Sequence, residues 1–96
     1  MKQLAKMIVN LYFTDDREVH RLNKKYLNRD YPTDVLSFKI DQKFSRNKYY
    51  LGDVIISLPQ AQRNAKQFGH RLEEELVELA AHGLSHLLGI HHHGDK

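Results

Sequence analysis

Cysteine is absent from this 96-residue chain, and no segment is rich in proline or glycine. Without thiols there can be no disulfide and no thiolate-held ion, so any metal must take His, Asp or Glu ligands. That fits a reducing compartment. No apolar run approaches the roughly 18 residues of a membrane span, and the N-terminus lacks the apolar core of a signal peptide. The expectation is a soluble cytoplasmic protein with no membrane partner. No internal repeat and no interdomain linker interrupts the sequence, which reads as one domain over residues 1–96. A chain this short buries only roughly 60–65% of the surface it exposes when unfolded, so its core is small.

What is present is unevenly spread. The formal net charge is +3, but residues 1–50 hold 11 Lys/Arg against 6 Asp/Glu, whereas residues 51–96 hold 4 against 6. A basic half attracts phosphates and speeds encounter with nucleic acid. It is equally the composition of an ordinary solubilising surface.

Apolar patterning divides the chain into six elements. Met7 to Thr14 reads as a strand. A helix follows, capped by Thr14 or Asp15, with Lys24 and Lys25 near its end and Val19, Leu22 and Tyr26 spaced to face a core. Asn28 to Asp34 is a turn, Val35 to Ile40 a second strand, and Asp41 to Lys48 a polar loop. Tyr50 to Ser57 is a third strand, buried on both faces towards its end. Ser57 caps a helix with Pro59 in its first turn, ending at Gly69. A last helix runs from about Arg71 to Leu88 and stops at Gly89. The order β-α-β-β-α-α implies an α+β fold: a small mixed sheet against helices, with an antiparallel pair between the second and third strands.

Five of the seven histidines, His82, His86, His91, His92 and His93, fall in the closing stretch AHGLSHLLGIHHHGDK. Residues four apart on a helix leave the same face one turn apart, so the rings of His82 and His86 can reach one ion at about 2.0–2.1 Å. A straight helix cannot bring a third. Gly89 can adopt a left-handed conformation and turn the chain back, so that His92, or its neighbour His93, swings over the pair. The competing reading is a His-rich tail and a chance pair. Two polar rings within an otherwise apolar stretch would cost energy unless satisfied, which favours a metal site at the end of the last helix. The spacing is that of zinc proteases with an HExxHxxGxxH helix, but the position of their general-base Glu is Gly83, which cannot move a proton. Three neutral ligands leave the ion its full charge, which suits an anionic substrate such as a phosphodiester.

Three blocks resemble one family. HGLSHLLGIHH, YPTDVLSF (Tyr31 to Phe38) and LGDVIIS are similar, in order, to the signatures of the YbeY family of ribosomal-RNA maturation endoribonucleases, and Leu22–Asn23 matches as well. The resemblance implies one zinc ion on His82, His86 and His92, and cleavage of single-stranded RNA. It also implies roles in ribosomal-RNA maturation and ribosome quality control at the small ribosomal subunit. His82, His86 and Arg29 are then the catalytic candidates. Thr33, Asp34, Ser37 and Gly52–Asp53 fall on family motif positions around the site. Four departures accompany it: His91 stands where the family has Asp, Leu27 where it usually has Arg, and Lys39 where it usually has Pro. Fourth, the family's extra N-terminal strand and helix and its C-terminal helix are missing, which should open the cleft and thin the core.

Under this reading Arg29, Lys39, Lys43, Arg46 and Lys48 hold the RNA backbone, and Phe44, Tyr49 or Tyr50 stack bases, although core packing is the commoner role of such rings. Asp34 and Asp53 either orient ligands and waters or serve the turn and strand start. Ser85 reads as structural. Three alternatives stay open: a metal-binding homologue that holds ribosomal RNA or protein without efficient cleavage, a different metallo-hydrolase, and a metal-stabilised structural domain.

Overall fold

The apolar run Leu51–Ser57 takes the middle of the sheet. In the computed structural model, which describes residues 4–90, the elements are β1 (Lys6–Thr14), α1 (Asp16–Leu27), β2 (Val35–Ser45), β3 (Lys48–Ser57), α2 (Leu58–Phe68) and α3 (Leu72–Leu87). The sheet order is β1-β3-β2, with β1 parallel and β2 antiparallel to β3. The expected element order and the antiparallel pair are both present.

Register assigns the two faces. Val9, Leu11 and Phe13 of β1 align with Gly52, Val54 and Ile56 of β3, and Val35, Ser37 and Lys39 of β2 share that face. α3 lies against it, and Val54, Ile56, Leu79 and Leu87 form its buried centre with Leu51 and Ala61. Each of the Val, Ile and Leu side chains contributes about 1.5–3 kcal/mol relative to exposure. α1 lies on the opposite face, where Tyr26 meets Phe38 edge-on at 5.9 Å. α2 packs on α3, burying Ala61 and Ala65.

Caps fix the ends. Asp15 accepts from the Glu18 amide at 2.8 Å. Ser57 caps α2, accepting from the Gln60 amide at 3.3 Å, and donates to Asp16 at 2.5 Å. Arg63 of α2 also binds Asp16, so the starts of two helices and the end of β3 are joined. That hydroxyl, and then Arg63, hold the Asp16 carboxyl below its ordinary value.

Two expectations need correcting. Residues 41–48 are not a loop: β2 continues to Ser45 and turns directly into β3 at Lys48. The segment is exposed on both faces, so its strand is held by pairing with β3 rather than by burial, and it carries no apolar alternation. Tyr26 does not face the core; it is 59% exposed, and Asn23 takes the buried slot beside Val19. The Asn23 Nδ2 donates to the Tyr31 carbonyl at 2.9 Å, which offsets part of the cost of burying the amide, while Oδ1 has no protein partner among the described residues.

Candidate metal centre

Gly83 sets the site. A Cβ there would lie 2.6 Å from Val54 Cγ1 and 3.2 Å from Ser37 Oγ, so only glycine lets α3 settle this closely on the sheet. Ser37 Oγ donates to the Gly83 carbonyl at 3.0 Å and holds the approach. The close approach places the residues flanking Gly83 on α3, His82 and His86, beside the outer edge of β2, where both line a cavity of about 440 Å³.

The two Nε2 atoms are 3.2 Å apart and the half-buried rings are tilted by 50°. Two nitrogens bound tetrahedrally at about 2.05 Å would stand about 3.3 Å apart. The donor set therefore fits one zinc-like ion; the same distance also allows one neutral ring to donate to the other. Among the described residues no third His, Asp or Glu joins the pair. The expected third ligand, His92, lies outside the described residues, as do His91 and His93. What the structure does describe is the turn before them. Gly89 has φ +78°, its amide donates to the His86 carbonyl and the Ile90 amide to the Ser85 carbonyl, the pairing of a Schellman reversal. The helix thus ends at Gly89 in the left-handed conformation expected of it.

The rest of the cavity is built by the Asn28–Asp34 turn and the start of β2. Asn28 ends α1 in a left-handed conformation at φ 55°. The Asn23 carbonyl accepts from the Arg29 amide at 3.2 Å while its side chain donates to the Tyr31 carbonyl, so one buried residue anchors the first half of the turn at two points. His20 binds Asp30 at 2.9 Å from outside, with Lys24 beyond; the His20 hydrogen bond, then Lys24, keep Asp30 below the usual carboxylate range. Asp34 accepts from Asn64 at 3.1 Å, and Asn64 also donates to the buried Glu75 carboxylate of α3 at 3.2 Å.

Arg29, Lys39, Thr33, Asp34 and Ser37 line the cavity with the two histidines, and so does Leu27. The Lys39 ammonium is 3.4 Å from Asp41, whose other oxygen accepts from the Tyr49 hydroxyl at 2.5 Å, raising the Tyr49 pKa. Lys43, Arg46 and Lys48 are not in the cavity wall; they lie along the β2–β3 hairpin. Gly52–Asp53 is also elsewhere: Gly52 is buried within the sheet and Asp53 accepts from the Tyr50 hydroxyl. Tyr49 packs on the core, whereas Phe44 is exposed. Ser85 back-bonds to the Ala81 carbonyl at 3.0 Å, the structural role expected of it. The cavity residues not singled out as site residues are Asn23, Tyr31, Val35, Leu36 and Leu87. All of them fall within the family blocks, and Asn23 is also a polar residue within the apolar stripe of a helix.

Comparison with known proteins gives a consistent result. The sequence model of the family described as "Endoribonuclease YbeY" matches residues 1–96. A protein of that name from Aquifex aeolicus (strain VF5) is 50% identical over 84 residues, covering 88% of this chain and 55% of that one. Another from Gloeobacter violaceus is 47% identical over 89 residues, covering 88% and 46%. A solution structure of a Thermotoga maritima protein aligns with a TM-score of 0.55 at 30% identity, over 82% of this chain and 49% of that one. The chain thus spans about half the length of the curated relatives it matches.

Proposed function

The chain belongs to the YbeY endoribonuclease family, and on that premise we propose that it is a metal-dependent endoribonuclease that cuts single-stranded RNA. The observation that carries the reading is the convergence of His82 Nε2 and His86 Nε2, 3.2 Å apart, in a cavity that also carries Arg29 and Lys39. His82, His86 and His92 hold the ion, one zinc per chain. When bound, it supplies Lewis-acid stabilisation of charge on a phosphoryl oxygen.

The chain's own groups do the rest. Arg29 offers a planar fork of donors to phosphate oxygens, and the doubly anchored turn beneath it fixes its backbone. Lys39 adds a point charge beside it, released from Asp41 when a phosphate arrives. Asp34, held by Asn64, presents a carboxylate at the wall for orienting a water or a ribose hydroxyl. A cavity of about 440 Å³ admits an extruded nucleotide and not a duplex. In the cell the substrate is ribosomal RNA, matured and surveyed at the small ribosomal subunit in the cytoplasm.

A second reading has its own observation. Leu27 is an apolar patch in the cavity wall. With it, the chain would bind metal and RNA and cut poorly. Incubating the protein with an unpaired and a duplex RNA across several divalent ions tests both. Metal-dependent cutting confined to the unpaired RNA and abolished in His86→Ala supports the first. Intact RNA with binding retained supports the second, and Leu27→Arg should then raise the rate.

A further inference from the structure

Among the described residues nothing covers the face of the sheet opposite α3 beyond α1. There Phe44 and Tyr50 stack, ring centroids 6.1 Å apart and planes within 8°. Tyr50 is fixed from its far end, donating to Asp53 and accepting from Asn10 Nδ2 at 3.2 Å. Phe44 lies where the β2–β3 register shifts between Lys43 and Ser45, and it is 54% exposed. The result is a rigid aromatic plate whose inner ring is bolted to the sheet and whose outer ring faces water.

Its surroundings are cationic. Residues 39–50 carry Lys39, Lys43, Arg46 and Lys48 against Asp41 alone. Lys43, Arg46 and Lys48 are exposed and enter no ion pair among the described residues. β2 itself connects this plate to the histidine cavity: Val35 to Ser37 and Lys39 line the cavity, and Ser45 lies about 20 Å further on. A parallel ring pair extends a base stack whatever the base, and a cationic fringe tracks the backbone. A basic protein surface would be repelled by the fringe and a neutral one would gain nothing from it, whereas a phosphate backbone is attracted along its length.

We propose that the β2–β3 hairpin is a base-stacking arm: Phe44, backed by Tyr50, receives an unpaired nucleobase of an RNA strand whose phosphates lie against Lys43, Arg46 and Lys48. This rests on the reading of the substrate as RNA. The test is fluorescence anisotropy of labelled oligoadenylate and of an abasic oligomer of equal length, each titrated with the full chain. Phe44→Ala should weaken oligoadenylate binding about 5- to 100-fold and Phe44→Tyr should keep it within about twofold, with the abasic oligomer unaffected by either. Equal oligoadenylate affinity in wild type and Phe44→Ala overturns the arm and leaves the RNA reading standing. A loss shared by the abasic oligomer also overturns it, because stacking is then not what was removed. Failure of the wild type to bind oligoadenylate overturns both.

Discussion

The two edges of the sheet are built differently. The β2 edge is walled at its start by α1 on one face and α3 on the other, and the cavity with His82 and His86 lies between them. The β1 edge has no such wall among the described residues: Leu11, Tyr12 and Phe13 are 42–49% exposed. Among the described residues the glycine contacts of α3 with the sheet, Gly83 on Val54 of β3 and Ser37 of β2 on Gly83, lie over the centre and the β2 side. Packing precision is concentrated where two imidazoles must be held at a fixed separation, and the other edge relies on strand pairing, on Val9 packed against the core and on the Asn10 hydrogen bond to Tyr50.

This contrast can be broken at its strongest point first. Ile56 is fully buried, and Ile56→Ala should cost about 2–5 kcal/mol in urea unfolding. Leu11→Ala, on the same face but at the bare edge, should cost well under that, about 1 kcal/mol or less. Equal costs would mean that the β1 edge is as tightly held as the centre. Gly83→Ala comes next: overpacking against Val54 should cost about 1–3 kcal/mol and also lower metal affinity, because α3 moves away from β2. A variant that keeps wild-type stability and metal binding would remove Gly83 from the account.

The cavity edge can be sharpened by charge. Arg29→Ala should lower the salt slope of RNA binding by about one phosphate contact and reduce the cleavage rate, whereas a charge removed from the β1 edge, Lys6→Ala, should change neither. The smallest effect concerns pH. Asp16 has its carboxyl lowered below 3.8 when folded, by Ser57 first and then Arg63. Its stabilisation is present above 3.8 and lost as pH falls through the lower folded value. Its side chain is 42% exposed, so Asp16→Asn should lose only about 1 kcal/mol or less at neutral pH. The variant's urea midpoint should then converge on that of the wild type in acid; a constant gap at every pH would show that the charge is not what matters.

The sequence made the elements legible wherever burial follows a period. β3, the Asp15 and Ser57 caps and the His82–His86 pair are all short-range patterns. The long hairpin was not legible, because residues 41–45 pair with β3 while burying no face. Nor was the burial of Asn23 in place of Tyr26, which depends on a carbonyl eight residues away that accepts from its Nδ2. The cavity wall depends on contacts such as Ser37 with Gly83, 46 residues apart, which no local spacing reports. Motif resemblance brought Thr33, Asp34 and Ser37 to the site and also pointed to Asp53, which the alternation of β3 carries to the other face.

Elemental analysis of the purified chain beside His86→Ala reads out whether His82 and His86 hold an ion. About one zinc-like ion per wild-type chain, lost in the variant while the fold is kept, is the predicted result. The same metal content in both proteins would contradict it.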